Sequence, residues 1–246
     1  MAISDTKSVL QLNNNDDFMR IQEAIQAARI QHLHNMCKKY HKAAPDPVKF
    51  ANSSGEILVI EKHKMAMCIT PKIAGKSWKR VLNVMAGLSK TTSEDASWRT
   101  VDVARKIKRV TQYKPEELTR ILQEYTFVIF SRHPLSRILS AFNNKLSPRA
   151  TDYKYRQSFW RIGYEIIKEY RPRKNEISRS NNHWIENYKF CHPCDFPYTV
   201  IGKYETLLED AKYVLKLTKV DDIVNFPETE GSKADSTHSS EIADAL

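Results

Sequence analysis

Two short apolar runs in this chain each break off into a basic loop that opens a helix, and that repeated order limits the folds open to it. The first run, Met65 to Ile69, passes into Thr70-Pro71-Lys72-Ile73-Ala74-Gly75-Lys76-Ser77. Apolar Trp78, Val81, Leu82 and Met85 follow at helical spacing, and Gly87 closes that helix. The second run, Thr126-Phe127-Val128-Ile129-Phe130, is apolar almost throughout, as a strand covered on both faces of a parallel sheet must be. It feeds Ser131-Arg132-His133, and Pro134 opens a helix whose Leu135, Ile138, Leu139 and Phe142 are expected to face the core. Val200-Ile201-Gly202, followed by a helix over Leu207 to Leu217, repeats the order once more. The pattern predicts an α/β fold, with a P-loop-like parallel sheet flanked by helices.

The rest of the chain is arranged around these units. "EILVIEKHKMAMCIT" predicts a β-hairpin turning at Glu61 to Lys64, and Pro115-Glu116-Glu117 starts a further helix. Upstream, Phe18, Ile21, Ile25, Ala28, Leu33, Met36 and Tyr40 recur at roughly helical spacing, which predicts an amphipathic helix over residues 16–40. Residues 1–15 are polar and expected to be disordered, a helix is expected around Phe159 to Tyr170, and the polar stretch 229–246 is expected to be a flexible tail. A chain of 246 residues supports one sizeable core, so residues 16–228 are read as one domain.

The 39 Lys and Arg exceed the 29 Asp and Glu, giving a net charge of +10 that favours anionic partners without choosing among them. There is no run of 18 apolar residues and no signal-peptide layout, so the chain as written reads as soluble. Four cysteines, Cys37, Cys68, Cys191 and Cys194, allow three full pairings, and Asn52-Ser53-Ser54 is a glycosylation sequon. Cys191-His192-Pro193-Cys194 lacks the context of a redox or zinc motif, and a structural disulfide using one or both cysteines is the better reading.

A nucleoside-triphosphate loop reads G-x-x-x-x-G-K-[ST], and Thr70 stands where its first glycine belongs. Such enzymes also need a carboxylate near the end of a second apolar strand to organise Mg²⁺. Here Arg132 follows that strand. Two separated cationic cradles with no metal carboxylate suit a nucleotide phosphorylated at both ends. The N–H groups of Pro71 to Ser77 at a helix start, with Lys72 and Lys76, would take one phosphate; Arg132 with Ser140 would take the other. A P-loop kinase and a basic nucleic-acid-binding module remain the alternatives, the second resting on net charge alone.

These residues resemble the Golgi carbohydrate sulfotransferases that act on chondroitin, dermatan and related glycans. "TPKIAGKSWKRVL" is similar to their loop for the 5′-phosphosulfate of 3′-phosphoadenosine 5′-phosphosulfate (PAPS), and "FSRHPLSRILSAFNNKL" to their 3′-phosphate motif. "HWIENYKFCHPCDFPYTVIGKYETLLEDA" is similar to a third family segment, and all three occur in the family's order. The departures are Gly75-Lys76 in the loop and His133 where the family has an acid. The family's membrane anchor has no counterpart in these residues.

The resemblance implies the PAPS sulfotransferase fold, PAPS as donor, no metal, an acidic glycan acceptor, no nucleic-acid partner and a Golgi location. It implies donor contacts from Pro71, Lys72, Ile73, Ala74, Gly75, Lys76 and Ser77, and from Arg132, His133, Pro134, Leu135, Ser136, Arg137, Ile138, Leu139 and Ser140. Lys72 is the expected leaving-group cation and His183 the candidate base, with packing beside Trp184 as the other reading of that histidine. Ser77 reads as a phosphate donor, an ordinary helix cap, or both, and Arg137 as a ligand or a surface residue. The basic, aromatic stretch Lys154 to Arg179 reads as a groove for an acidic glycan or as a solvated helical face.

Overall fold

The structure is a computed structural model that describes residues 2–40, 44–48, 57–93, 104–145, 183 and 185–227, with backbone alone for 2–14 and 145. Strands β1 (Ile57–Ile60), β2 (Met65–Cys68), β3 (Thr126–Ser131) and β4 (Tyr198–Lys203) form one sheet in that order. β1 and β2 make the expected antiparallel hairpin, turning through a 3₁₀ segment at Glu61–His63. The β2–β3 and β3–β4 pairs are parallel, so β2, β3 and β4 end along the same edge. The sheet is therefore mixed, with three parallel strands and an antiparallel one at the rim.

Among the described residues the helices include α1 (Ala2–Tyr40), α2 (Gly75–Met85), α3 (Pro115–Glu124), α4 (Pro134–Lys145), α5 (Asn187–Cys191) and α6 (Leu207–Leu217). Alternate strand residues enter two separate cores. Leu58, Met67, Val128, Phe130 and Val200 pack with Trp78 and Leu82 of α2 and Val214 of α6. Val59, Ala66, Cys68, Phe127 and Ile129 pack with Leu118 and Ile121 of α3 and with Phe190 and Phe196. Both faces are dry, which is why the strands read as apolar runs instead of alternating. Trp78 and Phe130, ring centroids 5.0 Å apart, fasten α2 to the sheet beneath the loop that precedes it.

Two helices differ from their sequence patterns. α1 begins at Ala2, not Asp16; no Pro or Gly interrupts the chain before Pro45, so nothing ends the helix upstream. Its inward stripe is partly polar: Ile21 and Tyr40 are exposed, while Gln22 and Gln26 are buried. The reason is the outer edge of β4, whose peptide groups need partners. Ile201 N–H donates to Gln26 Oε1 at 2.8 Å, and Arg29 Nη1 donates to Ile201 O at 2.7 Å. Arg29 also pairs with buried Asp210 at 2.8 Å. A helix thus completes one rung of the sheet with side chains.

α4 is rotated from the expected orientation. Leu135, Ile138 and Leu139 point outward at 52%, 51% and 41% exposure, whereas Ser136, Arg137 and Ala141 are buried. The helix sits over backbone carbonyls, and an apolar stripe could not supply the donors those oxygens need.

The four cysteines form Cys37–Cys194 and Cys68–Cys191. The Cys-His-Pro-Cys pair is not bonded to itself: one member holds the end of β2, the other holds α1. Residues 159–170, the stretch 154–179 and the tail 229–246 lie outside the described residues, as does the sequon at Asn52.

Candidate active site

The loop that leaves β2 carries two non-glycine residues in the left-handed region, Lys72 at φ 69° and Ala74 at φ 52°. Each costs about 1–2 kcal/mol, and the surroundings must hold it there. At Lys72 two buried arginines do so. Arg132 Nη1 donates to Lys72 O at 3.1 Å, and Arg137 Nε donates to Pro71 O at 3.2 Å. A trans peptide has its C=O and N–H antiparallel. Holding the oxygens of Pro71 and Lys72 therefore aims the N–H groups of Lys72 and Ile73 the opposite way, away from the arginines.

Ala74 is the N-cap of α2 and has no side-chain oxygen to offer, so Ser77 is buried in the first turn and is not the cap. A helix start without a side-chain cap is suited to an anion. Ile73 points its side chain into the core, leaving only its backbone for a ligand. Lys72 and Gly75 are half-buried, and Lys76 is exposed at the helix start.

Arg132 leaves the carboxyl end of β3, is 8% exposed, and lies over the Tyr204 ring at 4.0 Å from its centroid. That stacking fixes the plane of the guanidinium. His133 N–H donates to Glu205 Oε1 at 2.8 Å, so a carboxylate from the end of β4 sits at the start of α4. Ser140 is half-buried two turns further along α4, on the side shared with Ser136. Pro134, Leu135, Ile138 and Leu139 lie on the exposed side of α4, away from the loop-facing residues.

Arg137, which could have been a surface residue, is 7% exposed and spans two segments. Besides Pro71 O it reaches Ile185 O, to which Nη1 donates at 2.6 Å. Burial lowers its guanidinium to about 10, with Glu186 acting against the shift, and it stays ionised at neutral pH. His183 lies half-buried in a turn two residues before Ile185. Asn187 Nδ2 donates to Phe130 O at 3.3 Å and holds the same segment to the end of β3. Trp184 is outside the described residues.

The structure thus gathers Pro71, Lys72, Arg132 and Arg137 at one edge, with the His183 turn tethered to them. Sequence reasoning missed Tyr204 and Glu205, although a signal existed: both follow the carboxyl end of a parallel strand, where α/β sheets place ligands. Among the described residues no group of three His, Cys, Asp or Glu is placed to hold a metal ion. No described helix is long and apolar enough to cross a membrane.

The model of the sulfotransferase family matches residues 55–245. Carbohydrate sulfotransferase 11 of Rattus norvegicus is 31% identical over 221 residues, covering 78% of this chain and 59% of the relative. Carbohydrate sulfotransferase 9 of Homo sapiens is 29% identical, covering 83% and 50%. Carbohydrate sulfotransferase 14 of Homo sapiens is 32% identical, covering 70% and 48%. The chain therefore spans about half the length of these relatives. No solved structure matches it. Since the family match takes in every strand of the sheet and all three loops at its carboxyl edge, the chain belongs to the sulfotransferase family.

Proposed function

We propose that the protein transfers a sulfuryl group from PAPS to a hydroxyl of a glycan, a glycosaminoglycan or glycoprotein chain. The observation that carries this reading is the bond from Arg132 to Lys72 O, which joins the two loops expected to hold the phosphates and so supports one ligand reaching both. A nucleotide phosphorylated at both its 5′ and 3′ positions carries one charge for each loop. The residues suit it: the loop N–H groups that turn away from the arginines and Lys72 for the 5′ end, Arg132 with Ser140 for the 3′ end. The names of the relatives support a carbohydrate acceptor.

PAPS supplies an activated sulfuryl group whose S–O bond to the 5′-phosphate breaks as the acceptor oxygen bonds to sulfur. Lys72 neutralises charge gathering on the departing oxygen, and the loop N–H groups hold that phosphate in place. Arg132, its plane set by Tyr204, binds and orients the 3′-phosphate. His183 accepts the acceptor's hydroxyl proton. Two disulfides suit an oxidising compartment and, with the family resemblance, support the Golgi lumen as the site of action.

Thermal denaturation with 3′-phosphoadenosine 5′-phosphate (PAP), AMP and ATP tests the donor site. PAP should raise Tm well above either competitor, because it alone engages both ends of the site. Equal shifts from PAP and AMP would remove the 3′-phosphate site, and a larger Mg²⁺-dependent shift with ATP would restore the kinase reading. Labelled-sulfate transfer from PAPS to a panel of desulfated glycosaminoglycans then identifies the acceptor.

A further inference from the structure

Arg137 bonds both the donor loop and the segment that carries His183. Its Nε–H donates to Pro71 O and its Nη1–H to Ile185 O, so a single planar fork joins α4, the loop after β2 and the turn before α5. A guanidinium can serve two carbonyls in different directions at once; an ammonium on a shorter stem cannot do so with the same geometry. The Pro71 bond has a directional consequence, because the peptide it restrains also carries the N–H of Lys72. Lys72 is held at φ 69°, so the restraint works on a residue that would otherwise relax.

We propose that Arg137 is a positioning residue and not a ligand of the 3′-phosphate: it sets the Lys72 N–H toward the 5′-phosphate and locks the His183 turn to that loop. The proposal deepens, and rests on, the donor-site reading above. It separates from that reading because a restraint on the 5′ loop acts on every nucleotide carrying a 5′-phosphate, whether or not a 3′-phosphate is present.

The test is calorimetric titration of AMP and PAP into the full chain and its Arg137→Lys variant, with Tm recorded for each. Both nucleotides should weaken by the same factor, about ten-fold, the scale of one charge-assisted bond, leaving the preference for PAP over AMP unchanged. Loss confined to PAP would make Arg137 a 3′-phosphate ligand and overturn the proposal. Unchanged affinities with a lowered Tm would leave it a purely structural residue and overturn it equally. A wild-type protein that binds AMP and PAP alike would sink the donor reading, while the AMP comparison would still decide the role of Arg137. If the Lys variant does not fold, amide exchange on the wild type replaces it. AMP should slow exchange at residues 186–188, and unchanged rates there would refute the coupling.

Discussion

Lys72 combines a proposed chemical task with a backbone cost. At φ 69° its L-configuration is disfavoured, so Lys72→Ala removes the ammonium but keeps the strain, whereas Lys72→Gly removes both. Both substitutions should lower kcat by roughly 10² or more, with a smaller change in donor affinity, because the proposed role of the ammonium is to act chiefly as charge builds on the leaving oxygen. Lys72→Arg should recover binding better than rate. Steady-state kinetics with PAP dissociation constants checks all three; an intact kcat in Lys72→Ala would pass the leaving-group role to Lys76 or Arg80. Arg132 is a separate case. Arg132→Ala should cost about 2–4 kcal/mol of PAP binding, the scale for removing a charge-assisted hydrogen bond from a desolvated site. Tyr204→Leu should cost less, since it frees the guanidinium plane but keeps its charge. Unchanged PAP titrations for Arg132→Ala would move the 3′-phosphate site elsewhere.

At the scale of elements, β3 and β4 meet so closely that one position admits no side chain. Gly202 stands opposite Phe130 in the parallel register, and a Cβ there would lie 2.3 to 2.5 Å from three ring atoms. The ring is wedged between β4 and Trp78, so it cannot retreat. Gly202→Ala should therefore destabilise by about 1–3 kcal/mol, measured as a lower denaturant midpoint at unchanged m. An unchanged midpoint would mean that Phe130 has another rotamer open to it. The same strand pair places Arg132 and Tyr204 together, since each follows the end of its strand. α4 shows how an element's face can mislead. Its most apolar stripe is Leu135, Ile138 and Leu139, yet the carbonyls of Pro71 and Ile185 draw Arg137 inward and turn that stripe out.

Over the whole molecule, two disulfides staple segments far apart in sequence. Cys37–Cys194 spans 157 residues and Cys68–Cys191 spans 123, so each removes much freedom from the unfolded chain, by about 2–5 kcal/mol apiece. Their effects on the donor site should differ. Cys191 Sγ lies 3.3 Å from Thr70 Oγ1, at the root of the loop after β2, whereas Cys37 sits on α1. A Cys68→Ser/Cys191→Ser variant should lose both Tm and PAP affinity, and a Cys37→Ser/Cys194→Ser variant should lose Tm alone. Differential scanning calorimetry paired with PAP titration reads both quantities; equal PAP affinities in the two variants would show the loop to be held without the β2–α5 bridge.

The sequence alone determined the strands, the hairpin, the α/β class and the loop after β2, because each follows from local signals: continuous apolar runs, helical spacing, Pro134 and Pro115 at helix starts. It also placed Lys72 and Arg132, since a basic residue just past an apolar strand is a local pattern whose position in an α/β sheet is general. The tertiary structure decided what depends on distant backbone. Gln26 and Arg29 face inward because the outer edge of β4 lies against them from 172 to 175 residues away in sequence. Arg137 is buried because two carbonyls, 66 and 48 residues distant, need a donor between them. The cysteines pair as they do because β2, α5 and α1 meet, and four cysteines permit three pairings on paper. Hydrophobic periodicity reports which side chains leave water; it carries no information about backbone groups elsewhere in the chain that need partners, and those set the inward faces of α1 and α4.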